Sequence, residues 1–268
     1  MSKILGQHFL TNQSAIKKII TALDLKADDT IIEIGPGRGA LTFPLAEACQ
    51  KLNCKIIAIE KDPQLAYSVQ RLVDSENLEI VIGDALKELL KITKRLTLTA
   101  NRFKVVGNIP YYITGKLLRI LSELENNPEL IILMIQKEVA ERIIAEPPKM
   151  NLLAAAVQFW AEPEILFTLK PAEFNPPPKV SSAVIRLTTK QQITTDNKRQ
   201  ITENYYKFIH ILFKQPRKTL FNNLKTGLKI PKNEIETTLK SFKIELNSRP
   251  QNLFLSQIKK LVSLFSYN

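Results

Sequence analysis

The chain is predicted to be α/β: a Rossmann-like, seven-stranded and mostly parallel sheet with helices on both faces, followed by a small all-α C-terminal domain. Three observations lead there. Short apolar runs alternate with amphipathic stretches, as in doubly wound sheets. Seven of the eight glycines lie at or before Gly115, several of them directly after such a run. The charge is also lopsided. Residues 190–268 hold 15 Lys and Arg against 5 Asp and Glu, while residues 1–189 hold 23 against 21. The expected domains are therefore 1–189 and a basic 190–268, joined by a polar, turn-rich linker over 190–199.

Taken in order, residues 14–24 carry apolar groups at Ile16, Ile19, Ile20 and Leu23 behind a Ser14 cap, which is helical spacing. Strand-length apolar runs follow at 30–34, 55–59, 78–82, 104–106 and 130–135. Helical stretches near 40–49, 63–73, 85–91 and 114–123 separate them. Two more helices are expected near 137–145 and 151–160, then strands at 164–169 and 183–187. A Pro-rich connection joins these last strands, which suits an antiparallel pair at the sheet edge. From Ile201 onward the apolar spacing (Tyr205, Phe208, Ile209, Leu212, Phe213, then Leu253, Ile258, Leu261, Leu264) reads as helix throughout.

Composition excludes several classes. No apolar run reaches the roughly 18–20 residues of a membrane span, and the N-terminus is too quickly interrupted by Gly6-Gln7-His8 to be a secretory core. Two cysteines, Cys49 and Cys54, supply neither a metal quartet nor a disulfide framework, so no metal is expected and the cytoplasm is the default compartment. A basic module beside a near-neutral one points to a polyanion partner.

Glu33-Ile34-Gly35-Pro36-Gly37-Arg38-Gly39 follows the first of the alternating strands. Gly35 and Gly37 would let the backbone approach a ligand where a Cβ would clash, although a tight turn without a ligand reads the same way. Glu60 ends the next strand, where a carboxylate can accept ribose hydroxyls. Asp84 ends the one after, within reach of an adenine amine. Together they predict an adenosyl cofactor without separating a nicotinamide dinucleotide from S-adenosylmethionine.

The following strand separates them. It runs into Gly107-Asn108-Ile109-Pro110-Tyr111. The Asn108 side-chain carbonyl and the backbone carbonyl of Ile109 can both accept hydrogen bonds from an amine, and Tyr111 offers a flat face to a base. An exocyclic adenine amine is a poor nucleophile because its lone pair is delocalised into the ring. Two acceptors holding its hydrogens favour a pyramidal nitrogen aimed at a sulfonium methyl. No dedicated base is needed, since the proton becomes acidic once the methyl is attached. Phe174, in Phe174-Asn175-Pro176-Pro177-Pro178-Lys179-Val180, either forms a second wall for that base or packs in the core. The sequence leaves both open.

Gly6-Gln7-His8-Phe9-Leu10, Glu33-Ile34-Gly35-Pro36-Gly37, Asn108-Ile109-Pro110-Tyr111, Gln136-Lys137-Glu138-Val139-Ala140-Glu141-Arg142 and the Phe174–Val180 segment, in this order and spacing, resemble the rRNA adenine N6,N6-dimethyltransferases. Within them the 16S rRNA dimethyladenosine transferases are most alike. Phe213-Lys214-Gln215-Pro216-Arg217-Lys218-Thr219-Leu220 and Arg249-Pro250-Gln251-Asn252-Leu253 extend the likeness into the tail. The resemblance implies the S-adenosylmethionine-dependent methyltransferase fold. It also implies that Gln7, His8 and Leu10 close over the methionine end of the cofactor, and that Gly35, Glu60, Asp84 and Asn108 bind it. The expected substrate is a pair of adjacent adenosines in the 3′-terminal hairpin loop of 16S rRNA, within a pre-30S particle. Lys179, Arg217, Lys218, Lys225 and Arg249 would contact RNA, and the protein would act as a monomer. Two departures stand out: Pro147-Pro148-Lys149-Met150 replaces a Tyr- and Gly-containing stretch of the family, and Gln251 stands where Glu is usual.

Three other functions compete. A 23S rRNA adenine methylase of the antibiotic-resistance type shares the active-site pattern, but the tail and the Phe174–Val180 segment fit the small-subunit enzyme better. A DNA amino-methyltransferase would carry Pro where Ile109 stands. A non-catalytic ribosome assembly factor would not need an intact Asn108 and Tyr111.

Overall fold

The structure, a computed structural model, describes residues 8–73, 76–96, 102–190, 197–228 and 230–265. Two compact units account for the chain: Met1–Ala140 with Glu162–Lys190, and Glu141–Ala161 with Gln191–Asn268.

The first unit is built on seven strands: β2 (Thr30–Ile34), β3 (Lys55–Glu60), β4 (Leu78–Ile82), β5 (Phe103–Asn108), β6 (Leu130–Gln136), β7 (Ala161–Leu169) and β9 (Ser182–Thr189), in the order β4-β3-β2-β5-β6-β9-β7. Between the parallel strands run helices α2 (Thr42–Leu52), α3 (Pro63–Leu72), α4 (Ala85–Leu96) and α5 (Thr114–Glu123), with α1 (Gln13–Ala22) ahead of β2. The central strands are mostly apolar because helices cover both faces of such a sheet; all five residues of β2 are buried. β2, β3, β4, β5 and β6 pair in parallel, and β9 pairs with β6 antiparallel. The expected edge pair is present, with β9 and β7 hydrogen-bonded neighbours.

Register gathers the ends that matter. Ile34 lies opposite both Ile59 and Gly107, Glu60 opposite Ile82, Asn108 opposite Met134, and Gln136 opposite Ser182. Strand order reverses between β2 and β5, and a crevice at that switch point is where open α/β sheets bind ligands. At the opposite end of the strands the Lys104 ammonium is 2.7 Å from Asp29, both side chains 2% exposed. It also donates to the Asp24 carbonyl, so a charge inside the sheet is paired and hydrogen-bonded.

Two short elements have no local signal. β1 (Phe9–Leu10) and β8 (Phe174–Asn175) pair antiparallel, with Phe9 opposite Asn175 and Leu10 opposite Phe174. The α1 cap also shifts from the expected Ser14: Asn12, in extended conformation, accepts from the Ala15 amide at 3.1 Å.

The second unit is helical. It contains α7 (Leu152–Gln158), α8 (Lys198–Leu212), α9 (Leu220–Gly227), α10 (Lys232–Ser241) and α11 (Leu255–Phe265), while α6 (Lys137–Ile143) straddles the boundary between units. The boundary differs from the single cut expected at 189/190. Met150, Ala154 and Ala155 share one buried cluster with Tyr205, Ile209 and Leu212. Tyr205 stacks on Phe159 at 3.8 Å and donates to the Ala155 carbonyl. That apolar face groups residues 141–161 with the basic tail. The two departures from the family pattern meet here, through a hydrogen bond from the Met150 amide to the Gln251 carbonyl. Of the expected linker, residues 191–196 lie outside the described residues, and α8 already begins at Lys198.

Candidate active site

β2 runs out into a loop whose three glycines all have positive φ: +69° at Gly35, +57° at Gly37 and +83° at Gly39. The conformation alone disfavours L side chains at these positions. Space adds a second constraint, since a Cβ on Gly37 would sit 2.9 Å from the Phe9 ring. Glu60 braces the loop from β3. Its Oε2 accepts from the Gly37 amide at 3.0 Å, and its Oε1 accepts from the Lys61 and Asp62 amides at 2.8 and 2.9 Å. A carboxylate offers about four acceptor positions, so this buried side chain keeps room for a further donor.

Asp84 follows β4. Its Oδ1 takes the Leu86 amide at 3.0 Å and its Oδ2 faces the Lys61 ammonium at 3.2 Å. The Leu86 amide and the Lys61 charge hold its carboxyl below the ordinary aspartate value. It is therefore an acceptor at neutral pH.

Glu33 was not singled out from the sequence, although a carboxyl inside an otherwise apolar strand was the available signal. It is 2% exposed and is the second-last residue of β2, ahead of the glycine loop, while Thr42 opens α2 just behind that loop. Burial pushes the Glu33 carboxyl up to about 7. The Thr42 hydroxyl beside it opposes that rise and the Glu60 charge adds to it. Among the described residues neither Glu33 Oε2 nor Thr42 Oγ1 completes a hydrogen bond. The two groups face each other beneath the loop. The positive-φ glycine cradle, with the spare acceptor positions of Glu60 and Asp84 beside it, fits a polar ligand such as S-adenosylmethionine: Glu60 would take the ribose, Asp84 the adenine amine, and the Gly35–Gly37 backbone the methionine arm.

Asn108 ends β5 opposite Met134 and donates through Nδ2 to the His8 carbonyl at 2.8 Å. Among the described residues its Oδ1 accepts no hydrogen bond, which leaves that oxygen for an amine. Gly107 keeps the strands close, because a Cβ there would lie 2.6 Å from the Ile34 carbonyl. The Ile109 side chain is buried at 1% exposure, so only its backbone can serve chemistry. Tyr111 is half-buried, and its hydroxyl shares a 2.8 Å hydrogen bond with Ser182 Oγ at the start of β9.

The segment around His8 closes this side. His8 Nδ1 lies 2.8 Å from the Pro176 carbonyl and must carry the hydrogen, since the carbonyl can only accept. Thr11 N donates to Glu173 O at 2.9 Å, and the Arg38 guanidinium stacks on the Phe9 ring at 4.6 Å. Leu10 is buried in the core cluster. Gln7, expected here too, lies outside the described residues. Phe174 is brought into this segment. Its pairing opposite Leu10 leaves it 4% exposed within the core cluster. The ring that faces Tyr111 is His8, with centroids 6.4 Å apart and planes 28° from parallel.

The expected RNA-contacting cations fall in both units. Lys179 is exposed in the connection leading to Ser182. Arg217, Lys218, Lys225 and Arg249 are exposed in the helical unit, and none of the five is ion-paired among the described residues. Lys214, Gln215, Pro216, Arg217 and Lys218 line a depression of about 440 Å³. Among the described residues no group of three His, Cys, Asp or Glu could hold a metal ion.

Comparison with known proteins agrees with this geometry. The chain is 35% identical over 268 residues to the ribosomal RNA small subunit methyltransferase A of Dehalococcoides mccartyi, covering 99% of this chain and 89% of that protein. The crystal structure of a dimethyladenosine transferase from Plasmodium falciparum superposes with a TM-score of 0.81 at 26% identity, over 97% of this chain and 98% of that one. The crystal structure of the 23S rRNA methyltransferase ErmE shares the fold, with a TM-score of 0.72 at 24% identity over 96% and 99% of the two chains. The sheet with its flanking helices is thus the S-adenosylmethionine-dependent methyltransferase fold. The family model for ribosomal RNA adenine dimethylase matches residues 1–266, and the chain belongs to that family.

Proposed function

We propose that the protein transfers methyl groups from S-adenosylmethionine to the N6 amines of two adjacent adenosines in the 3′-terminal hairpin loop of 16S rRNA. The product is N6,N6-dimethyladenosine, formed within a partly assembled small subunit by a cytoplasmic monomer. The observation that carries this reading is the Asn108 side chain. One end is tied to the His8 carbonyl and the other is free to accept, at the strand end beside the glycine loop.

S-adenosylmethionine, when bound, supplies a methyl made electrophilic by its sulfonium. The chain supplies orientation. In the first transfer Asn108 Oδ1 and the Ile109 carbonyl accept the two amine hydrogens, and in the second they hold the one that remains, which localises the nitrogen lone pair and aims it. Tyr111, fixed by Ser182, presents its face to the base. Transfer releases a proton from an already cationic nitrogen, so no residue must remove it beforehand. Glu60, Asp84 and the glycine loop hold the cofactor, while Lys179, Arg217, Lys218, Lys225 and Arg249 contact RNA phosphates.

The 23S-directed alternative is less well supported. The relative named for the small subunit is 35% identical, against 24% for the 23S enzyme, whose likeness is one of fold. Labelled methyl transfer to under-methylated 30S particles, 50S particles and DNA tests the reading. Incorporation into 30S particles alone is expected, and transfer chiefly to 50S particles or DNA would overturn it.

A further inference from the structure

We propose that Tyr112 is a stacking platform for the nucleotide next to the adenosine being methylated, with Lys116 holding that nucleotide's phosphate. The inference rests on the RNA-methylating function given above and names a contact that function does not require.

Tyr112 directly follows Tyr111, yet the two residues differ in setting. Tyr111 is half-buried and tied to Ser182, whereas Tyr112 is 64% exposed, one of the most exposed large hydrophobic side chains among the described residues. Both stand in a single 3-10 turn, Tyr111–Ile113, that leads into α5 and is held by the Ile113 amide donating to the Pro110 carbonyl. A ring placed this way is rigidly based but uncovered. Burial cannot account for it, since it removes little apolar surface from water.

Its surroundings suit a nucleic-acid strand. Along the turn and the first turn of α5 the exposed positions are Tyr112, Gly115 and Lys116, while Thr114, Leu117 and Leu118 are buried. The spacing 112, 115, 116 puts the aromatic ring, a bare stretch of backbone and an ammonium on one face. Gly115 has no steric reason to be glycine, because a Cβ there would meet nothing within 4 Å. Glycine in a helix costs about 0.5–1 kcal/mol relative to alanine. The bare backbone leaves room for a sugar-phosphate chain to pass between ring and ammonium. Aromatic faces interleaved with cations are how proteins hold single strands. The connection leading to Ser182, whose hydroxyl bonds Tyr111, exposes Lys179 and Val180. A strand with its target base at Tyr111 therefore has a neighbouring base within one residue of it at Tyr112. For two adjacent target adenosines, the one waiting would stack there while the other reacts.

The test compares Tyr112→Ala, Tyr112→Phe and Lys116→Ala in two measurements. The first is affinity for a fluorescent single-stranded oligoadenylate by anisotropy; the second is KM and kcat on under-methylated 30S particles. Tyr112→Ala is expected to weaken oligonucleotide binding on the order of tenfold, as loss of one stacked base should. It should raise KM similarly, with affinity for S-adenosylhomocysteine unchanged. Tyr112→Phe, which keeps the face, should restore both. Lys116→Ala should weaken binding less and flatten its salt dependence. Unchanged affinity and KM in Tyr112→Ala would overturn the proposal, as would a Tyr112→Phe variant as impaired as the alanine. If the wild type transferred nothing to 30S particles while Tyr112→Ala still weakened oligonucleotide binding, the functional reading would fail and the platform would stand.

Discussion

Glu33 interrupts an apolar strand with a carboxyl that folding removes from water, and the consequence is a stability that depends on pH. Its value rises from 4.5 to about 7 on burial, so the folded protein binds that proton more tightly than the unfolded chain does. The contribution is fully present below pH 4.5 and is lost as pH rises through 7. On the alkaline side the cost approaches about 3 kcal/mol. Glu33→Gln keeps the shape and removes the charge. Relative to wild type, its Tm should climb steadily between pH 5 and pH 8 in thermal melts without cofactor; parallel pH profiles for the two proteins would count against this account. Legibility at this scale is uneven. The placement of Asn108, Glu60 and Asp84 at neighbouring strand ends could be read because each closes an apolar run. His8 facing Tyr111, and Ser182 bonding its hydroxyl, could not be read, because both depend on contacts across at least 71 positions. Phe174 was undecided in the sequence, and the register with Leu10 places it in the core.

Elements whose signal is local were legible. β2, β4 and α5 coincide with their apolar patterns, whereas β5 extends beyond the expected 104–106 to include Gly107 and Asn108. Glycine usually weakens a strand, but here it allows the close approach to Ile34. The β1–β8 bridge had no pattern of its own, being two residues against two across 165 intervening positions or so. In the helical unit the basic loop between α8 and α9 is fixed by one buried side chain. Asn223 accepts from the Gln215 amide at 3.1 Å and donates to the Gln215 and Thr219 carbonyls at 3.1 and 3.2 Å. The loop thereby displays Lys214, Arg217 and Lys218 without needing them for its own stability. Arg217→Ala with Lys218→Ala should consequently fold normally and bind RNA more weakly. The slope of log affinity against log salt should drop by roughly 1.5, since each phosphate contact contributes about 0.7–0.9. A slope identical to wild type would mean that this loop does not meet RNA.

At the scale of the whole molecule, the charge asymmetry in the sequence corresponds to two units with separate hydrophobic cores. The sequence misjudged only where the boundary falls. Residues 141–161 carry an apolar face that belongs with the tail, and apolar spacing alone does not say which core a helix serves. In the proposed function, orientation chemistry belongs to the strand ends of the first unit, while much of the cationic surface lies on the second. That division makes a separable prediction for Asn108→Ala. Labelled methyl transfer to under-methylated 30S particles should fall by roughly a hundredfold or more, the scale on which a lost transition-state hydrogen bond acts. Affinity for the same particles should stay within about twofold of wild type. Near-normal transfer by this variant, or a large loss of particle affinity, would contradict the account.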